Sequence, residues 1–245
     1  MFLNQRQIKQ LGELMATLAE PLEEADVRMR IGEQMLQLLD AQFYASFVWD
    51  SASATFGRAV TINMDPGNLA NYERYYQFHD PITRLMQAHR SAVRATDVLS
   101  HELLKRTEFF NDFLARDGLH WGTNLYAWDG DQNIGDMRIW RDRKREDFSN
   151  DDLEVLDLIR PAFIAALRRS RHAQIATALP QKGSALDILS EREIDVARLI
   201  SCGLSDKEIA RRLALSTTTV RTHISHAFRK HGVDSRIQLL RALGL

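Results

Sequence analysis

One cysteine, five prolines and no long apolar run characterise the 245-residue sequence. The lone Cys202 excludes an internal disulfide framework and suits a reducing compartment. Its setting reads as that of a small buried hydrophobe in a helix. Nothing approaches the roughly 18 uninterrupted apolar residues of a membrane span. The opening residues, MFLNQRQIKQLGELM, break their apolar positions too often for a signal peptide. The chain therefore reads as cytoplasmic. Also missing are a GxSxG elbow, an HExxH pair and a phosphate-cradling glycine loop, so an enzyme with an appended regulatory bundle has no catalytic signature to stand on.

What is present is ordinary globular composition, 44% apolar and 27% charged, with a formal net charge of −1. That balance hides an asymmetry. From Ser205 onward eight cations face three anions, a net of about +5, which leaves about −6 on the remainder. A basic tail beside an acidic body points to a nucleic-acid partner for the tail. Apolar periodicity lapses around SRHAQIATALPQKGSALD, where Pro180 and Gly183 interrupt any helix. The sequence thus divides into residues 1–170, a linker at 171–185, and residues 186–245.

The first part mixes helices and strands. Helical spacing covers about 4–19 and 24–40, with further helical segments at 67–78, 81–89 and 100–117. Strands are expected at Gln42–Trp49 and Phe56–Asn63. Another pair, Gly122–Trp128 and Asn133–Trp140, flanks Asp129-Gly130, a dipeptide that supplies the positive φ of a tight hairpin. A long helix follows Ser149, which with Asp152 resembles a capping box; Pro161 is expected to kink or split it. Two strand pairs flanked by helices imply an α-β-α sandwich with a central antiparallel sheet. The cationic run Arg138, Arg141, Arg143, Lys144, Arg145 could engage DNA or an anionic effector, but its balance with Asp142, Glu146 and Asp147 favours a solvated loop.

The last part announces its helices by their caps. Ser190 precedes Glu193 by three residues, Ser205 precedes Glu208, and Ser235 precedes Gln238; each hydroxyl can accept from the N3 amide while the N3 side chain returns to the cap. Ser216 opens a further helix. Val220, Ile224 and Phe228 repeat at i, i+4 and i+8, and only Ala214-Leu215-Ser216 separates this helix from its predecessor. An all-α four-helix module with a helix-turn-helix pair is implied, its second helix suited to a major groove. His223 and His226 stand at i, i+3 with no third ligand at suitable spacing, so no metal or other cofactor is implied.

The string LSEREIDVARLISCGLSDKEIARRLALSTTTVRTHISHAFRKHGVDSR resembles the DNA-binding domain of LuxR-type bacterial regulators. The resemblance implies base contacts from Arg221, Thr222 and Ser225, which follow Thr219-Val220. It leaves Lys207, Thr217, Thr219, His223, Arg229 and Lys230 as candidates for phosphate. The implied partners are double-stranded DNA with a pseudo-palindromic operator, a second copy of the chain, and RNA polymerase.

YYQFHDPITRLM, with Asp80-Pro81, resembles the ligand-binding domain that accompanies such modules in acyl-homoserine-lactone sensors, a relative of PAS and GAF domains. The indole those sensors carry after Asp-Pro is missing, Ala95 standing near its place. Trp49, Tyr72, Trp121 and Tyr126 are the candidate walls for a small apolar or amphipathic ligand, with Asp80 as the polar anchor. For Asp80 an N-cap or turn role before Pro81 is the favoured alternative. The expected function is a homodimeric transcriptional regulator modulated by a small molecule. Two alternatives remain: a quorum-sensing receptor for acyl-homoserine lactones, and a ligand-independent regulator whose first domain only dimerises or meets another protein.

Overall fold

A computed structural model describes residues 3–51, 53–177 and 188–245. The chain divides into two compact units, Met1–His172 and Ala173–Leu245.

In the first unit, helices α1 (Gln5–Ala19) and α2 (Glu24–Leu38) precede strands β1 (Phe43–Asp50) and β2 (Thr55–Ile62). Helix α1 starts on a capping box between Asn4 and Gln7. After β2 the chain enters α3 (Pro66–Asn71), a π-helical turn at Tyr72–Tyr76 and the single turn α4 (Gln77–His79). Helix α5 (Thr83–Gln87), the two-residue strand β3 (Val93–Arg94), α6 (Ala95–Val98) and α7 (His101–Leu104) follow. A second π-helical turn at Phe109–Leu114 leads into α8 (Ala115–Asp117), which ends on Gly118 at φ 80°, a left-handed position that suits glycine. Strands β4 (Trp121–Asp129) and β5 (Gln132–Arg141) form the expected hairpin, and α9 (Asn150–Thr177) closes the unit.

The five strands form one antiparallel sheet in the order β2-β1-β5-β4-β3. Alternation divides their side chains between two apolar layers. Tyr44, Leu125, Met137 and Ile139 join α1, α2 and α9, through residues such as Leu14, Ile31, Met35 and Phe163. The other face, with Ala45, Phe47, Tyr126 and Trp140, packs against the segments between β2 and β4. The sandwich is as expected from the strand and helix pattern. Three details differ. Strand β3 is too short to leave an alternation pattern. The segment at 100–117 is two short helices and a π-turn instead of one helix. Helix α9 runs through Pro161 unbroken, its lost backbone bond set against the full burial of Ile159, Phe163 and Leu167. Residues 171–177 of the expected linker belong to α9, and 178–185 lie outside the described residues.

The second unit consists, in its described part, of α10 (Glu191–Ser201), α11 (Asp206–Leu213), α12 (Thr217–His231) and α13 (Arg236–Leu243). Ser190 and Ser205 form capping boxes with Glu193 and Glu208, while Ser216 and Ser235 each accept from the amide three residues on. Val196, Ile209, Val220 and Ile224 fill the angle between the first three helices; Ala197, Ala227, Leu239 and Leu243 seat α13. Cys202 corrects an expectation: it is exposed, because α10 stops there and the chain turns through Gly203. Among the described residues no helix is long and apolar enough to cross a membrane.

Candidate functional site: a recognition helix and an aromatic cleft

Helix α12 is held as the second member of a helix-turn-helix pair. Ala214 ends α11 in the left-handed region at φ 54°, and Leu215 and Ser216 complete a three-residue turn. At about 100° per residue, Thr218, Arg221, Thr222, Ser225 and Arg229 fall within roughly a 100° arc, and all five are exposed. The three residues expected to face bases therefore share one stripe. Thr218 was not among them, although the same 3.6-residue period places it there.

Their hydrogen bonds differentiate these residues further. Arg221 Nε donates to Asp206 Oδ2 at 3.0 Å, and Arg236 pairs with the other oxygen of the same carboxylate. Partial burial pushes the Asp206 carboxyl up, but the two guanidiniums outweigh it and hold the group below the ordinary range. The Thr222 hydroxyl donates to the Thr218 carbonyl at 3.0 Å, so toward another molecule it offers a lone pair and a methyl group. Lys207, Thr217 and Arg229 are exposed; Thr219 and His223 are half-buried, Thr219 sharing a hydroxyl bond with Ser216 at 2.8 Å. Lys230 stands apart from the other phosphate candidates. Its ammonium donates to Glu193 Oε2 at 2.6 Å, and Glu193 is buried and capping α10. Burial pushes Glu193 up, yet Lys230 and the Ser190 bonds win and hold it below the usual range.

The first unit contains an aromatic cleft on the sheet face opposite α9. Strand register builds it: Arg138 on β5 lies between Ala45 on β1 and Asn124 on β4, and Trp140 faces Gly122. The π-turns bring Tyr72, Phe109 and Phe113 over these strands. The cleft encloses about 360 Å³ counting its open mouth.

Two of the five expected ligand residues line it. The Tyr72 hydroxyl accepts from Arg138 Nη1, and burial pushes its pKa up to about 12, so it stays protonated. Asp80 accepts at Oδ1 from the amides of Ile82 and Thr83 at 2.8 and 2.9 Å, and at Oδ2 from the Thr83 hydroxyl. It is thus both the turn cap before α5 and part of the wall. Burial raises its pKa, opposed by those bonds and by Arg138.

The other three lie elsewhere. Trp121 is excluded by the alternation of β4: it packs with the α9 layer, stacks on His101 at 4.2 Å and donates to the Arg145 carbonyl at 2.9 Å. Trp49 lies against Phe56 at 4.7 Å, outside the lining. Tyr126 is on the correct face but behind the wall, its hydroxyl accepting from Asn124 at 2.9 Å and directed to the Thr83 carbonyl at 3.4 Å.

Arg138 is the residue that composition concealed. Read as one cation of a solvated run, it is 5% exposed and inside the cleft. Its Nε donates to Asp136 Oδ2 at 2.8 Å, and its guanidinium lies over Phe47 and Phe56 at 4.5 and 4.2 Å. The spacing of Asp136, Arg138 and Trp140 on a strand was the available signal. Arg141 also departs from the solvated reading: it reaches the carbonyls of Leu39 and Asp147 and the Asp152 carboxylate.

Residues 187–243 match the family described as "Bacterial regulatory proteins, luxR family". Over 52 residues the chain is 48% identical to the nitrate/nitrite response regulator protein homolog of Haemophilus influenzae, covering 21% of this chain and 25% of that protein. The chain thus spans far less than two thirds of the curated relatives it matches. Among solved structures, Escherichia coli SdiA shares the fold with a TM-score of 0.55 at 17% identity, over 97% of this chain and 98% of that one. The GAF domain of a Coxiella burnetii phosphoenolpyruvate-protein phosphotransferase does so with a TM-score of 0.51 at 14% identity, over 71% and 97%.

Proposed function

Because its C-terminal domain is a helix-turn-helix module of the LuxR family, we propose that this chain is a sequence-specific DNA-binding regulator of transcription, working in the cytoplasm as a homodimer. The observation that carries the proposal is the stripe of Thr218, Arg221, Thr222, Ser225 and Arg229 along α12: exposed, basic and without a carboxylate of its own helix. Arg221 is the base-reading residue, suited to guanine O6 and N7, with Thr222 and Ser225 beside it. Lys207, Thr217, Thr219, His223 and Arg229 position the helix on phosphates. One such module makes few contacts, which favours a dimer on a pseudo-palindromic operator. RNA polymerase is the partner through which such a dimer would act.

The aromatic cleft is the effector site, with Asp80 and Tyr72 in its wall, and the effector shifts operator affinity by favouring one arrangement of the dimer. A second reading has its own support. The cleft is small, about 360 Å³ counting its open mouth, close to the lower end of ligand sites, which favours a first domain that works without any ligand. Selection of bound duplexes from random-sequence DNA, followed by anisotropy titration of the enriched site, tests the central claim. Recovery of a two-fold-related motif with steep salt dependence is expected; failure to enrich any sequence would refute it.

A further inference from the structure

The polar end of the cleft carries two unmet hydrogen-bonding demands. Arg138 Nη2 is buried without a partner, although Nε and Nη1 of the same guanidinium are satisfied by Asp136 and Tyr72. Asn124 Oδ1 is buried without a partner while Nδ2 of the same amide donates to Tyr126. Both residues are nine-tenths or more buried, both line the cleft, and strand register makes them direct cross-strand neighbours. One is a donor and the other an acceptor. A buried polar atom left unpaired costs about 1–3 kcal/mol, so the site is complementary to a group that presents an acceptor beside a donor.

We propose that Arg138 and Asn124 are the specificity-determining pair of this cleft, and that it takes a compact neutral molecule of the carboxamide type on an aromatic or similarly flat apolar body. The inference rests on the reading of the cleft as an effector site. The carbonyl oxygen of the ligand accepts from Arg138 Nη2, and its N–H donates to Asn124 Oδ1.

Charge decides between an amide and its carboxylate counterpart. The single positive charge of Arg138 is already matched by Asp136 at 2.8 Å, and Asp80 stands in the same wall. A carboxylate would add an unmatched buried charge, whereas an amide adds none. Size and shape decide the body. Around the pair stand Phe47, Tyr72, Phe109, Phe113 and Trp140, and a space of about 360 Å³ including the mouth, at the small end of ligand sites, fits a compact body better than a long chain. Planar rings suit that lining.

The test uses the full-length protein and three probes of one shape: benzamide, benzoate and methyl benzoate, titrated calorimetrically near neutral pH. Benzamide is expected to bind saturably, with benzoate at least tenfold weaker. Because Arg138→Met alone would strand Asp136, the first variant is Arg138→Met with Asp136→Asn, expected to weaken benzamide at least tenfold. Asn124→Ala is the second and milder variant. It is expected to weaken benzamide several-fold while leaving methyl benzoate, which has no donor, unchanged. Benzoate binding as tightly as benzamide would overturn the charge argument, and undiminished benzamide binding in both variants would overturn the pairing. No binding of any probe would mean that a water alone meets the two atoms, and would overturn the inference. Operator binding measured on the same samples separates these outcomes: if it persists without any probe effect, only the effector assignment fails; if it is absent, the regulator reading fails.

Discussion

Arg221 on the recognition helix is held by Asp206, the first residue of the helix before it, through a 3.0 Å bond from Nε to a carboxylate oxygen. Its guanidinium is therefore aimed before any DNA arrives, which lowers the ordering cost of a base contact. Arg221→Ala is expected to remove about 1–3 kcal/mol of discrimination at one base pair of each half-site. Asp206→Ala is expected to blunt the same position to a smaller extent. Competition binding with single-base operator variants reads both, and unchanged discrimination in Arg221→Ala would mean that another side chain meets the bases.

Arg229 and Lys230 are adjacent in sequence and differently committed. Arg229 is exposed on the α12 stripe proposed to face DNA, whereas Lys230 is bonded to the buried Glu193. Arg229→Ala should lower the slope of log affinity against log salt by about 1. Lys230→Ala should leave that slope alone and lower the thermal stability of the helical domain instead.

Glu193 sets an acid limit on that domain. Its folded pKa lies below the ordinary value of 4.5, since Lys230 and the Ser190 bonds outweigh burial. A depressed carboxylate contributes stability that is complete above the unfolded pKa and is lost as pH falls through the folded one. Glu193→Gln should therefore be less stable than the parent at pH 7, and the gap should close below about pH 4.5. Melting followed by far-ultraviolet circular dichroism across pH 3–7 gives the comparison.

In the cleft, Tyr72→Phe removes the acceptor of Arg138 Nη1 and leaves a second buried guanidinium donor unpaired. A loss of about 1–3 kcal/mol is expected. All four tryptophans, at 49, 121, 128 and 140, lie in the first unit, so their fluorescence reports its melting alone.

Gly122 leaves room for the Trp140 ring. A Cβ at position 122 would come within 2.6 to 2.8 Å of three indole carbons. Gly122→Ala should cost about 1–3 kcal/mol through overpacking. Trp140→Leu in the same chain should recover part of it; additive losses would mean that the two sites do not touch.

The helix-turn-helix module was legible because each of its signals is local. Ser190 with Glu193 and Ser205 with Glu208 need only three residues of sequence to specify a helix start, and Val220 with Ile224 only one turn to specify a face. The cleft was harder because its members are assembled across strands. Trp121 and Gly122 are neighbours on opposite sides of the sheet, so shifting the reading by one residue moves a wall residue into the other layer. Composition groups Arg138 with Arg141 and Arg143, whereas its parity with Asp136 and Trp140 places it inward. The π-turns at Tyr72–Tyr76 and Phe109–Leu114 leave no propensity signature, so their aromatic residues gave the apolar character of the wall but not its geometry.

Those two wide turns carry a consequence for how the chain diverges. A π-turn is an α-helix that holds one extra residue in a single widened turn, so removing that residue restores the regular helix, keeps the flanking faces where they were and changes the wall at the turn itself. A substitution at Tyr72 or Phe113 changes one patch of lining, whereas a one-codon deletion inside either turn removes the bulge and redraws the lining around it without breaking a helix. Homologous domains that accept different molecules, or none, can thus be separated by a gap of one in these two segments, and differences in length there are where altered specificity should be sought first.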